Sequence, residues 1–255
     1  MRNILSREGV YVLVAVRMKS SRLPLKALLN INGKPLLLRL IDRISERISL
    51  NKIIICTSSN LQDDAIERFS IQNDLNYFRG SELDVMDRFI KASDAFNAKT
   101  IVRITGDNPL TDPVVLESMI KFHLKKKAEY TFTNDTPIGT RSEIIDVSAL
   151  KRIHRQLSNP KYSEYMTHML KRPDKLKLCE FHVNNQRLKR PELSLTVDTL
   201  KDINLVRDIY KEFNGRLPNL EKIISWLDKN PSKKIDLNAN ETLQKSIDCS
   251  YLNDL

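Results

Sequence analysis

The stretch Val10 to Leu29, VYVLVAVRMKSSRLPLKALL, constrains this chain more than any other. Its first seven residues, Val10 to Val16, are apolar, long enough for a strand buried on both faces and too short for a membrane span. The next ten residues bring Arg17, Lys19, Ser20, Ser21, Arg22 and Lys26, and Pro24 keeps this segment from continuing as a strand. A loop at the carboxyl end of a buried strand is where open α/β sheets place their ligands. Its chemistry fits a polyphosphate: cations neutralise phosphate oxygens, and hydroxyls and loop N–H groups supply directed hydrogen bonds. A solvated basic loop is the alternative reading of these residues.

Downstream the pattern alternates. Asn32-Gly33-Lys34-Pro35 is a turn with Pro at the first helical position, and Leu37, Ile41, Ile44 and Ile48 follow at helical spacing. Lys52 to Thr57 reads as a second buried strand ending in the hydroxyls of Thr57, Ser58 and Ser59. A helix from about Asp63 to Ile71, a short strand near Tyr77 and Phe78, and a helix carrying Val85, Met86, Phe89 and Ile90 come next. This βαβαβα order predicts a mostly parallel sheet with right-handed crossovers.

Thr100 to Pro113, TIVRITGDNPLTDP, predicts a central strand, a sharp Gly106-Asp107 turn, and a helix with Asp112 as N-cap and Pro113 at its first position. Asp107 is thereby left at a strand tip facing the cationic loop. A carboxylate there makes sense as a Mg²⁺ ligand, since that ion takes one or two carboxylates plus phosphate oxygens; ordinary turn chemistry is the alternative. Leu193 to Val197 predicts a last core strand that leaves a second carboxylate, Asp198, at its end. Thr199 and Asp202 then form a variant capping box. The regular alternation stops near Glu129: a strand-like Tyr130 to Thr133, a turn at Thr136 to Gly139, and helical patterns around Val147 to Ile153 and Tyr162 to Leu170 follow. Residues 130–190 are therefore expected to form a cap or dimerisation segment within a single domain spanning 1–255, and residues 236–255 a polar tail.

The chain carries 42 Lys and Arg against 32 Asp and Glu, a formal charge of +10. Seven cations fall between Lys171 and Arg190, which raises nucleic-acid binding as an alternative function. Against it, the excess is spread along the chain, aromatic residues make up 6%, and no RRM, KH or helix-turn-helix pattern occurs. A basic enzyme for anionic substrates explains the charge equally well. Cys56, Cys179 and Cys249 lack metal or disulfide spacing, and the four histidines lack metal-ligand spacing. With no signal-peptide pattern at Met1 to Gly9, the expected compartment is the cytoplasm, with no membrane association.

RMKSSRLPLKALL, INGKPLLLRLIDRI, CTSSNLQDD, FRGSELDVMDRF, VRITGDNPLTDP and LTVDTLKD, in that order over about Val10 to Tyr210, resemble the cytidylyltransferases that activate acidic sugars. That family holds the CMP-sialic acid and CMP-KDO synthetases, and the similarity is greatest to its spore-coat polysaccharide branch. The resemblance implies a Rossmann-like α/β nucleotidyltransferase fold, a CTP donor, Mg²⁺, a small anionic acceptor and a homodimer. It places Arg17, Lys19, Ser20, Ser21, Arg22 and Lys26 on the triphosphate loop, Asp107 and Asp198 on the metal, and Thr57, Arg88 and Arg103 on the nucleotide side of the cleft. Arg22, Lys26, Asp107 and Asp198 are the residues it implies for catalysis. Two loop glycines of the branch are replaced by Lys19 and Leu25, which adds bulk and removes backbone freedom. In the acceptor region, an Arg and a His of the branch become Ser163 and Tyr165. A nucleotide-binding relative without turnover is the alternative these departures raise.

Overall fold

A computed structural model describes residues 9–20, 22–157 and 166–235. Ser21, the Ser163 and Tyr165 departures, Cys249 and the expected tail lie outside the described residues. Apolar runs build the middle of the molecule: β1 (Val10–Ala15), β4 (Ile53–Ser58) and β6 (Thr100–Thr105). Leu13, Val14, Ile54 and Ile55 are fully buried, as parallel strands covered on both faces require. The short strands β2 (Asn30–Ile31) and β3 (Lys34–Pro35) pair only with each other, as a hairpin before α1 (Leu36–Ser45). Pro35 caps that helix from outside rather than opening it.

The sequence between these strands supplies α2 (Asp64–Gln72), β5 (Asn76–Gly80) and α3 (Val85–Ala95). After β6 come α4 (Pro113–Lys126), β7 (Tyr130–Phe132), β8 (Glu143–Asp146), α5 (Val147–His154), α6 (Met166–Leu170) and β9 (Leu178–Glu180). Helices α7 (Leu200–Glu212) and α8 (Leu220–Lys229) follow. The seven-stranded sheet runs β5-β4-β1-β6-β8-β7-β9, and β8 alone runs against its neighbours. Residues 130–190 thus supply three strands to the main sheet. Of these, β8 and β9 are not evident as strands in the sequence.

Helices α1, α2 and α4 cover one face of the sheet, where Val12, Val14, Ile53, Ile55 and Ile104 meet Leu40 and Met119. Helices α3, α5 and α6 cover the other, around Leu13, Cys56, Phe89, Ile101 and Tyr130. A third cluster joins α7 and α8 to residues 193–197. That last segment differs from the expected core strand. It forms no regular strand; Ile138 and Ser194 make an isolated bridge, flanked by Ile138 N–H to Leu193 O at 3.0 Å and Leu195 N–H to Ile138 O at 2.7 Å, and Ser194 N–H donates to Ile235 O at 2.8 Å. Gly139 is what allows this approach. Its φ is +88°, and a Cβ there would lie 2.2 Å from Thr196 N and 2.4 Å from Leu195 C. Among the described residues no helix is long and apolar enough to cross a membrane.

Two helix starts form as the sequence predicts. Asp112 accepts from the N–H groups of Val114 and Val115 at 3.0 and 2.9 Å, ahead of Pro113. Thr199 and Asp202 close a full capping box on α7. Both caps aim the preceding turns, and those turns carry Asp107 and Asp198.

Candidate active site

The carboxyl ends of β1 and β6 open on a cavity of about 680 Å³. Arg17, Lys19, Ser20, Arg22 and Lys26 line it from the loop after β1, and Arg103, Thr105, Gly106 and Asp107 from the end of β6. Glu82 and Arg88 close one side and Asp198 another.

Lys26 is the hub. Its Nζ donates to Asp107 Oδ2 at 2.7 Å, to Asp198 Oδ1 at 3.1 Å and to the Val197 carbonyl at 2.9 Å. Arg22 Nη2 also reaches Asp198 Oδ1, at 3.0 Å. Thr105 Oγ1 donates to the other oxygen of Asp107 at 2.6 Å, and Asn108 Nδ2 donates to Thr105 Oγ1 at 2.9 Å. Two carboxylates, Asp107 after β6 and Asp198 just before α7, therefore converge on one cation. Among the described residues there is no group of three or more His, Cys, Asp or Glu that could hold a metal. The donor set still fits Mg²⁺, a hard ion that takes one or two carboxylates and completes its shell with phosphate oxygens and water.

The loop is shaped by three features. Leu25, in place of the branch's glycine, adopts the left-handed conformation with φ 60° and ψ 14°, so the turn into Lys26 keeps a glycine-like backbone. Asp63, buried at the start of α2, accepts Met18 N–H at 2.7 Å with one oxygen. Its other oxygen takes Ser58 N–H at 3.1 Å and the Ser58 hydroxyl, tying the loop to the end of β4. Ser20 Oγ accepts Leu23 N–H at 3.3 Å. Lys19 is mostly exposed and reaches Glu82 Oε1 at 3.5 Å, with Asn60 Nδ2 on the other Glu82 oxygen at 3.1 Å. The Asn60 hydrogen bond, aided by Lys19 and Arg17, outweighs partial burial and holds the Glu82 carboxyl below its ordinary range.

Arg103 and Arg88 enter the cavity wall from the face covered by α3, α5 and α6. Arg103 Nη1 donates to Glu143 Oε2 at 2.6 Å and to Thr167 Oγ1 at 3.3 Å. Tyr130 and Thr167 both donate to Glu143 Oε1, at 2.5 and 2.7 Å. Burial alone would raise the Glu143 carboxyl; the Arg103 charge and these hydrogen bonds overcome it and hold the group ionised. Arg88 is almost wholly buried, and burial lowers its affinity for a proton.

Thr57 is the one described site residue that the structure removes from the cleft. Strand alternation puts it on the face of Ile53 and Ile55, fully buried and absent from the cavity lining. Thr105, Glu82, Asp63 and Glu143 are functional candidates that sequence reasoning missed. Only Thr105 had a local signal, two residues after Arg103 on the same face of a strand.

Three of the seven cations in the basic segment 171–190 have carboxylate partners. Arg172 pairs with Asp174, Arg187 with Glu221, and Arg190 with Glu192 and Asp228. Lys177 Nζ donates to the Lys126 carbonyl, and Lys171 lies over the Phe132 ring.

A mostly parallel sheet with a cationic loop after its first strand, facing the carboxylates of Asp107 and Asp198, defines a Rossmann-like nucleotidyltransferase. The chain belongs to the cytidylyltransferase family, whose model matches residues 11–230. It is 31% identical to the spore coat polysaccharide biosynthesis protein SpsF of Bacillus subtilis, over 91% of this chain and 99% of that one. It is 34% identical to the uncharacterized protein MJ1063 of Methanocaldococcus jannaschii, over 89% and 93% of the two chains. A solved cytidylyltransferase from Leptospira borgpetersenii superposes with a TM-score of 0.81 at 26% identity, covering 88% of this chain and 96% of that one.

Proposed function

We propose that the protein transfers a cytidylyl group from CTP to an acidic sugar or a phosphorylated small molecule, releasing pyrophosphate, in the synthesis of a surface glycan or polysaccharide. The observation that carries this reading is the convergence of Asp107 and Asp198 on Lys26, at the mouth of the cationic loop. Family membership supports cytidine as the base, and the name of the SpsF relative supports the glycan setting.

An oxygen of the acceptor attacks the α-phosphorus in line while the bond from that phosphorus to its bridging β-oxygen breaks. The acceptor's proton passes to solvent. Arg17, Arg22 and Lys26 hold the β- and γ-phosphates, with Ser20 adding a hydroxyl, so the charge of the leaving pyrophosphate meets cations fixed in advance. Asp107 and Asp198 would hold Mg²⁺, which would supply charge neutralisation to the phosphates when bound. Thr105 and Asn108 fix the Asp107 carboxylate in position. No side chain is required as a covalent nucleophile.

The test is a thermal-shift panel of CTP, UTP, ATP and GTP, each with and without Mg²⁺, since a ligand that binds only the folded state raises its melting temperature. A selective, Mg²⁺-dependent shift with CTP is expected. A flat response to all four triphosphates would overturn the donor assignment.

A further inference from the structure

Six cations line the cavity, Arg17, Lys19, Arg22, Lys26, Arg88 and Arg103, against the carboxylates of Glu82, Asp107 and Asp198. Four of the six belong to the loop after β1, where the triphosphate is expected. Arg88 comes from α3 and Arg103 from β6.

Arg88 is 3% exposed, yet it lines the cavity. Among the described residues its guanidinium makes no hydrogen bond and no ion pair, and its Nε is a buried donor without an acceptor. The like charge of Arg17 and the carboxylates of Asp63 and Glu82 act on it only at longer range. The neighbouring Cys56 thiol offers no counter-charge, because burial pushes it up to about 12. Gly80 makes the room: a Cβ there would lie 3.0 Å from Arg88 Cγ. A chain that buries a guanidinium with nothing opposite it, against a cleft, has left a place for an anion.

Arg103 has the complementary arrangement. Glu143 and Thr167 take Nη1, while Nε is buried without a partner and Nη2 has none among the described residues. Nε and Nη2 form one side of the planar fork, the side that receives a carboxylate or phosphate bidentately. Strand alternation puts Arg103 on the face of Ile101, which is also the face covered by α3, the helix of Arg88. Between them β1 presents Ala15, small and part of the cavity lining.

We infer that Arg88 and Arg103, on elements other than the triphosphate loop, form a second anion seat that takes the carboxylate or phosphate of the acceptor. This rests on the nucleotidyl-transfer reading above. Cytidine contributes no negative charge beyond its phosphates, so the charge of two guanidiniums on elements other than the triphosphate loop is matched by an anion of the second ligand. Arg88 is the buried anchor and Arg103 the fork, oriented by Glu143. Arg88 and Arg103 thereby move from the nucleotide side, where resemblance placed them, to the acceptor.

The experiment compares the full-length wild type with Arg88→Met, Arg88→Lys and Arg103→Met by thermal shift. Each is measured alone, with CTP and Mg²⁺, and with inorganic phosphate or 3-deoxy-manno-octulosonate. The anion titrations are repeated on protein saturated with a non-hydrolysable α,β-methylene CTP analogue, which blocks the loop. Arg88→Met keeps the apolar stem and removes the unpaired charge, so without ligand it is expected to melt about 2–4 °C above wild type. It should keep the CTP shift and lose the anion shift, with Arg88→Lys recovering part of it. Arg103→Met should likewise lose the anion shift. Whichever probe shifts the analogue-saturated wild type identifies the acceptor's anion as phosphate or carboxylate. The seat is overturned if Arg88→Met melts below wild type without ligand, if it loses the CTP shift, or if neither anion shifts the saturated wild type. If CTP fails on the wild type while an anion shift persists and depends on Arg88, the donor reading falls and the seat stands.

Discussion

The Lys26 ammonium lies 2.7 Å from Asp107 Oδ2, joining the loop after β1 to the turn after β6 across 81 positions of sequence. Both side chains are mostly buried, so this contact fixes the relative placement of the two halves of the cleft. Asp107→Ala is expected to lower kcat by about 10²-fold or more, with a much smaller change in CTP affinity. Steady-state pyrophosphate release and nucleotide titration measure the two effects separately. Near-normal turnover would remove Asp107 from the chemistry.

Leu25 carries a left-handed backbone with its side chain 56% exposed. A Cβ in that region costs roughly 1–2 kcal/mol, and glycine returns about 0.4–1 kcal/mol of that through the freedom of the unfolded chain. Leu25→Gly is therefore expected to stabilise the protein by about 0.5–1 kcal/mol, seen as a higher midpoint in chemical denaturation with an unchanged slope. A lower midpoint would mean that the exposed leucine makes a contact the backbone geometry does not disclose.

Asp63 anchors the loop after β1 without lining the cavity. In Asp63→Ala the buried Met18 and Ser58 N–H groups lose their acceptors, at about 1–3 kcal/mol each. The loop loosens, so KM for the nucleotide is expected to rise more than kcat falls. An unchanged KM in a folded Asp63→Ala protein would show that the loop keeps its shape by other means.

His123 gives the fold a defined acid sensitivity. It is buried against Thr131, 2.9 Å from Nδ1 to the hydroxyl oxygen, and burial pushes its pKa down from 6.5 to about 4. Between those values the unfolded chain binds the proton and the folded chain does not, so stability falls as pH drops from about 6.5 to about 4. The slope is about 1.4 kcal/mol per pH unit within that window and vanishes above and below it. His123→Gln should flatten this part of the stability curve, measured by urea denaturation at pH 4.5, 5.5 and 7.

What could be read in advance was local. The run Val10 to Val16, the Asp112-Pro113 cap and the Thr199 to Asp202 box lie within a few residues of the partners that give them meaning. Asp63 and Glu143 act on groups 45 and 40 positions away, and nothing in their own surroundings marks them. Strands β8 and β9 span four and three residues, too short for periodicity to separate them from loop. Thr57 failed for a different reason: a hydroxyl at a strand end is a binding group on one face and a core residue on the other, and position along the chain does not say which. Arg88 was placed by resemblance alone, and only the three-dimensional structure exposes its missing counter-charge.

The order of strands also sets a timetable for synthesis. Central β1 sits between β4 and β6, so one of its edges waits unpaired until residue 105 has been made. Asp198 arrives later still, on a segment that docks against Gly139 with no clearance. A nascent chain therefore holds a complete cationic loop long before it holds the second carboxylate, and long-range closures of this kind are slow. The two carboxylates that meet at Lys26 are therefore brought together only after most of the chain has been made.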